Sequence, residues 1–268
     1  MGYLLILLAV SLAVSAIGWK YFIYFFSLGY GFGIAALAVA LLVIFRDVLT
    51  VETVLLCVAM FIFGCRLGGY LLYRQQKSKS YRKILYDPSI SQKDHSVGAI
   101  FAIWIFCALL YVGQVSPVAF RLASMRDGFP VTTTWAWIGL AMIVCGTLLE
   151  AGADLQKSAA KKVNARRFVD KGLYSVVGCP NYLGELVIWT GSLLSAIGAG
   201  LSPGQWIIAA IGYAGIVYVM FSGARRLELR QTETYGSDPE FQSYVKKTPL
   251  LLPFIPIYSL AKYKWLQA

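Results

Sequence analysis

Seven stretches of the chain are almost free of charge and dominated by leucine, isoleucine, valine, alanine and phenylalanine. They are Gly2–Trp19, Tyr21–Phe45, Leu49–Tyr73, Val97–Phe120, Val131–Leu149, Leu183–Leu201 and Pro203–Ser222. No period-two alternation runs through them, so no sheet is predicted. At about 1.5 Å of rise per helical residue, each covers or nearly covers about 30 Å of hydrocarbon. Lipid offers no water to backbone N–H and C=O groups, so such stretches fold as helices that satisfy their own backbone. The pattern therefore predicts an all-α, polytopic integral membrane protein of about seven transmembrane helices, forming a single membrane domain over 1–268. Val14-Ser15-Ala16 resembles a signal-peptide cleavage site, but no cation precedes the first apolar stretch, so a retained helix is expected.

Composition agrees with the pattern. Of the 268 residues, 58% are hydrophobic and 14% charged, with a mean hydropathy of +0.66, whereas a soluble domain carries about a quarter of its residues as charges. The 24 Lys and Arg against 13 Asp and Glu would suggest nucleic acid if the protein were soluble. Position gives another reading. The connections after the odd-numbered helices, together with the tail, hold 20 of the 24 basic residues. Arg46, Arg121 and Arg126 fall on the opposite face, and Arg66 falls inside a span. Such asymmetry places the basic face in the cytoplasm and the N-terminus outside, as in a bacterial inner membrane. The surplus is then accounted for by topology and anionic headgroups, with no nucleic-acid partner. A face so rich in cations also suits a polyanionic cofactor.

Cys57, Cys65, Cys107 and Cys145 lie in apolar spans and Cys179 at a loop–helix boundary, without metal or disulfide spacing. His95 is the one histidine, which excludes histidine-rich di-iron chemistry and argues against a Ser-His-Asp hydrolase. Gly29-Tyr30-Gly31-Phe32-Gly33 superficially resembles a phosphate loop but lies within a span, where small residues pack helices. Glu52, Arg66, Glu150 and Glu185 lie in or at the edge of spans, where an ionisable group is a functional candidate by default. Glu52 and Arg66 are about 21 Å apart along one helix, so any partner comes from elsewhere. Glu150 and Asp154 stand at i,i+4, on one helix face.

Residues Asn164 to Glu185 include Arg167-Phe168, Gly172-Leu173-Tyr174 and Pro180-Asn181-Tyr182-Leu183-Gly184-Glu185. The tail reads Tyr235-Gly236-Ser237-Asp238-Pro239-Glu240-Phe241-Gln242-Ser243-Tyr244, then Thr248-Pro249 and Leu252-Pro253-Phe254. With Arg66-Leu67, Tyr70, Arg74, Tyr81-Arg82 and Gln114, this resembles the steroid 5-alpha-reductase family, bacterial members included, and the related sterol C14 and C7 reductases. The resemblance runs from about residue 60 to residue 258. It implies a monomeric seven-helix oxidoreductase that binds NADPH from the cytoplasmic side. Its substrate would be an apolar enone, a steroid or other lipid, reduced at a carbon–carbon double bond. Residues 1–96 would form the substrate side and 97–268 the cofactor side.

Carried over position by position, Asn181 and Glu185 would hold the nicotinamide, Tyr182 would line the cofactor cavity and Asp154 would bind the adenosine portion. Arg74, Arg167 and Arg225 would contact the phosphates. These residue types suit the roles: an amide offers a donor and an acceptor to a carboxamide, and a guanidinium fork matches phosphate oxygens.

Three departures separate the chain from the family pattern, the first bearing on the subgroup and the other two on the substrate half. Many members have Arg-His before Pro-Asn-Tyr, where this chain has Gly178-Cys179. The Gln-Glu pair that the animal enzymes carry on an early helix is absent from Tyr21–Phe45, and Phe63 replaces the tyrosine expected three residues before Arg66. Hydride addition to an enone needs a hydrogen-bond donor where charge develops on oxygen. Tyr24, Tyr30, Tyr70, Tyr73, Glu52 and Arg66 are available, and Tyr70 and Glu52 are the first catalytic candidates. The alternative is a membrane S-adenosylmethionine-dependent methyltransferase of the isoprenylcysteine carboxyl or phospholipid type. Such enzymes usually carry adjacent acids after the last helix, whereas Arg225-Arg226-Leu227-Glu228 has one acid.

Overall fold

The computed structural model describes residues 2–77 and 96–267. Lys79, Tyr81, Arg82, Lys83, Asp87, Lys93, Asp94 and His95 lie outside them. The described residues form eight α-helices and no strand: α1 (Gly2–Ser15), α2 (Leu28–Ile44), α3 (Val51–Lys77), α4 (Val97–Arg126), α5 (Thr134–Val163), α6 (Pro180–Leu194), α7 (Pro203–Tyr235) and α8 (Pro239–Lys247). Short 3-10 segments occupy Ala16–Trp19, Phe22–Phe26 and Gly172–Ser175.

Five helices are long and apolar enough to cross a membrane: α1 with its 3-10 extension, α3, α4, α5 and α7. Leu5, Val43, Ile62, Leu109, Leu148 and Ile211 are exposed on the described surface, as the lipid-facing residues of a polytopic membrane protein are. Two expected spans are shorter than their apolar stretches. The second begins only at Leu28, because Phe22–Phe26 winds as a 3-10 helix. Its 17 residues rise about 26 Å. The sixth ends at Leu194, where the chain turns through Gly198 and Gly200 with φ of 71° and 67°.

Cα packing divides the chain into two units, and α5, α6 and α7 contribute residues to both. The first comprises Met1–Ala141 and Gly191–Tyr213. Within it, α1 docks on α4 through Ser11 Oγ, which donates to Ala108 O at 3.1 Å, and Trp104 Nε1, which donates to Leu12 O at 3.1 Å. The glycines of α2 and α3 let two backbones meet. A Cβ on Gly31 would lie 2.6 Å from Gly68 N, and one on Gly64 would lie 2.5 Å from Gly31 O. Gly29–Gly33 is thus helix packing, not a phosphate loop.

Helix α4 starts on Ser96, whose Oγ accepts from Ala99 N at 3.2 Å. It ends in a Schellman turn, with Gly128 at φ 78°, its N–H on Met125 O and the Phe129 N–H on Ser124 O. Residues 111–124 are buried on every face. Pro117 cannot donate to Gly113 O, and Ser116 Oγ does so instead at 2.8 Å. The charge pattern puts Arg121 among the cations of the outer face; the structure buries it completely. Its guanidinium donates to Ser195 O at 3.0 Å and to Thr132 O at 2.5 Å.

The second unit comprises Met142–Thr190 and Ala214–Ala268. The 33 residues of α7 rise about 50 Å, longer than the hydrocarbon layer, and their polar end carries Arg225 to Arg230. Gly184 brings α6 against α5: a Cβ there would lie 2.7 Å from Gly146 O and 2.9 Å from the Glu150 Cβ. Helix α8 is capped by Asp238, whose Oδ1 accepts from Glu240 N at 2.8 Å, with Pro239 in its first turn.

Candidate functional site

Six of the seven expected cofactor residues lie in the second unit. The 164–179 segment approaches α6 as an anchored loop. Phe168, 4% exposed, packs against Tyr235, Phe241 and Tyr244 at centroid distances of 6.0, 5.2 and 5.6 Å. Tyr244 Oη donates to Tyr174 O at 2.7 Å, and burial raises its phenol above the ordinary range. Leu173 N donates to Gln156 Oε1 at 2.9 Å beside Gly172, which has φ 65°. Much of the polar order of this segment is therefore scaffold that holds the start of α6.

That start is fixed by the tail. Gly178 N donates to Pro249 O at 2.9 Å and Cys179 N to Leu250 O at 2.8 Å. Cys179 is fully buried, and desolvation pushes its thiol up to about 12. Pro180 then opens α6, where its missing N–H costs nothing. Asn181 follows, partly buried, with a buried Oδ1 that has no hydrogen-bond partner among the described residues. Glu185 is one turn on and 5% exposed, with Oε2 accepting from Trp189 Nε1 at 3.0 Å. Tyr182 packs over Gly223 of α7, where a Cβ would meet its ring and hydroxyl at 3.3 Å. Beside Gly223, the hydroxyl of Ser222 is buried without a partner among the described residues, a polar group that sequence reasoning passes over as the end of a span.

Glu150 and Asp154, 3% and 9% exposed, are both buried on α5. Their helical spacing puts them on one face as expected. The two arginines of this unit that are expected at the phosphates are otherwise engaged. Arg167 pairs with Asp170 at 2.9 Å and Glu240 at 2.5 Å, and these carboxylates raise it above the usual guanidinium range. The Arg225 guanidinium reaches Ala261 O at 3.3 Å and Leu266 O at 3.4 Å. A cleft of about 420 Å³ in the same unit is lined by Gly178, Glu228, Gln231, Tyr244, Tyr258 and Ser259, none of them among the predicted site residues. Glu228 is already held by Ser259 Oγ at 2.5 Å and Leu260 N at 2.8 Å.

The remaining candidates are in the first unit. Arg66 lies over the Tyr70 ring at 5.6 Å, with Tyr70 partly exposed and Arg74 exposed one turn further along α3. Glu52 is 6% exposed and is an electrostatic neighbour of Arg121. An opposite charge acting on Glu52 thus comes from another helix, α4, without a direct ion pair among the described residues.

Residues 24–248 match the model of a family described as a protein of unknown function, DUF1295. No curated protein and no solved structure matches the chain.

Proposed function

We propose that this chain, which belongs to the DUF1295 family, is an NADPH-dependent reductase of a carbon–carbon double bond in an apolar enone. The steroid-like 3-oxo-Δ4 type of substrate fits best. The observation that carries the reading is Asn181 Oδ1, buried without a hydrogen-bond partner among the described residues at the start of α6. A buried carbonyl left without a donor is costly, and a carboxamide N–H2 is the group that would satisfy it. Tyr182 and Glu185 on the same turn, with Asp154 on α5, complete the set of residues assigned to the cofactor. NADPH, when bound, supplies the hydride.

The arginines fit less directly. To meet a phosphate, Arg167 exchanges Glu240 or Asp170 for it, and Arg225 gives up tail carbonyls. Tyr70 is the donor assigned to the substrate oxygen. Glu52 remains the second candidate, although its place beside Arg121 also suits a counter-ion. The basic face is assigned to the cytoplasm, with seven spans and the N-terminus outside.

The test is thermal unfolding of the purified protein with NADPH, NADH and S-adenosylmethionine, since a ligand bound only by the folded state raises its stability. NADPH should raise the midpoint in wild type. In Asn181→Ala the shift should vanish while the ligand-free midpoint stays within a few degrees. Stabilisation by S-adenosylmethionine alone would establish the methyltransferase alternative in its place.

A further inference from the structure

Helix α4 carries a second unsatisfied group, in the first unit and independent of the cofactor residues. Gln114 is 2% exposed, and both its Nε2 and its Oε1 are buried without a hydrogen-bond partner among the described residues. It lies in the 111–124 run that is buried on every face. Its own backbone is anchored: Ser192 Oγ donates to Gln114 O at 3.0 Å. Immediately before it, Gly113 of α4 meets Gly212 of α7 backbone to backbone, so the helix cannot be displaced to rehydrate the amide. Three residues earlier on the same face is Tyr111, whose hydroxyl is committed to Phe25 O and whose ring lies 5.3 Å from that of Tyr30. The side chain is thus a buried amide on a helix whose backbone is anchored, with a donor and an acceptor both without partners among the described residues.

A leucine or methionine would fill such a position without the desolvation cost of an unpaired amide. A neutral oxygen function meets such an amide in an apolar setting. A hydroxyl accepts from Nε2 and donates to Oε1, and a ketone accepts from Nε2. An ionic ligand is disfavoured, because a buried neutral amide compensates charge poorly.

We propose that Gln114 is a specificity-determining residue that recognises a neutral hydroxyl or ketone oxygen of an apolar ligand. This rests on the reading that the protein takes an apolar substrate, and on none of the residues assigned to NADPH. Sites of this kind trade stability for recognition, and they reject analogues that lack the oxygen.

The experiment compares wild type with Gln114→Met and Gln114→Leu by thermal unfolding in detergent. The probes are androst-4-ene-3,17-dione and farnesol, each set against its hydrocarbon counterpart, androstane or farnesane. NADPH is run in parallel. Without ligand, at least one variant should melt at or above wild type. At least one oxygenated probe should raise the wild-type midpoint by several degrees, its hydrocarbon should not, and the shift should be lost in the variants. The NADPH shift should be the same in all three proteins. A fall of more than about 4 °C in both ligand-free variants, beyond about 1 kcal/mol of lost stability at this chain length, would make Gln114 a structural member and overturn the proposal. So would probe shifts that are absent, or equal in wild type and variants, as expected for an amide satisfied by internal water alone. An NADPH shift missing from wild type sinks the reductase reading and leaves this one standing.

Discussion

Replacing Glu52 by glutamine separates a counter-ion from a proton donor. Glu52 is 6% exposed at the start of α3, and its electrostatic neighbour Arg121 is fully buried near the end of α4. The guanidinium also holds the carbonyls of Thr132 and Ser195, which closes two turns of the first unit. Glu52→Gln keeps the shape and removes the charge, so Arg121 is left as a buried cation with only neutral partners. The two side chains make no direct ion pair among the described residues, and opposite charges beyond contact distance attract by about 1–2 kcal/mol at an effective dielectric of about 20. At about 2–4 °C per kcal/mol for a chain of this length, the midpoint should fall by about 5 °C. Added salt should change it little, because a buried pair is poorly screened. Glu52→Gln with Arg121→Met should recover part of the loss. Recovery is incomplete because two carbonyls lose their donor, but the double-mutant cycle should show at least about 1 kcal/mol of coupling. The assay is thermal unfolding of the four proteins in one detergent, followed by turnover measured below the lowest midpoint. A Glu52→Gln protein that melts within 2 °C of wild type and shows no coupling to Arg121 would refute this reasoning; if its turnover also fell, Glu52 would be the donor.

Two further outcomes follow from the second unit. Glu240→Gln removes one of the carboxylates that hold Arg167, so under the reductase reading NADPH should bind a few-fold more tightly, with the gain shrinking at high salt; unchanged affinity would show that Arg167 does not meet a phosphate. The Cys179 thiol, pushed up to about 12 by burial, should resist iodoacetamide at about pH 8.5 in the folded protein and react on unfolding. The folded state holds the thiol proton more tightly than the unfolded chain, so this group's stabilisation is lost as pH climbs from about 9, near the unfolded thiol, toward the folded value. Cys179→Ala should flatten that alkaline decline in the unfolding midpoint; an unaltered decline would show that Cys179 does not cause it.

The helices were legible because a membrane span is a property of composition over a long window, and hydropathy averages well over 27 to 33 residues. Their ends were not. Tyr21–Ser27 is as apolar as a span, yet Gly18 receives the Phe25 ring and the chain coils as a 3-10 helix there; an average over residue types does not register which ring fits against which glycine. The sixth stretch has the same difficulty, with Gly198 and Gly200 turning an apolar run whose carbonyl at Ser195 is taken by Arg121. In the candidate site, Asn181, Tyr182 and Glu185 were readable as a group because one helix turn brings them together. The pairing of Arg167 with Glu240, 73 residues on, and the use of Arg225 by the tail depend on tertiary contacts that no local pattern contains.

Charge and identity therefore sort these residues poorly, whereas satisfaction of polar groups sorts them well. Arg121 looks functional as a cation inside a membrane protein, but its terminal nitrogens hold the Ser195 and Thr132 carbonyls and Glu52 supplies an opposite charge, leaving only Nε without a partner among the described residues, which is how a mainly structural group is held. Arg167 and Arg225 carry the expected charge for a phosphate, yet each has protein partners in place, so a ligand gains from them only the difference between old and new contacts. Asn181 Oδ1, Ser222 Oγ and both ends of Gln114 are uncharged and less conspicuous in the sequence, but they are buried with no hydrogen-bond partner among the described residues. A folded chain stabilised by a small net free energy has reason to eliminate such groups unless something outside the chain completes them. Under both proposals, neutral orphans are better markers of ligand contact in this protein than its abundant cations. Substitution at Asn181 or Gln114 should accordingly cost recognition before stability, while substitution at Arg121 or Glu52 should cost stability first.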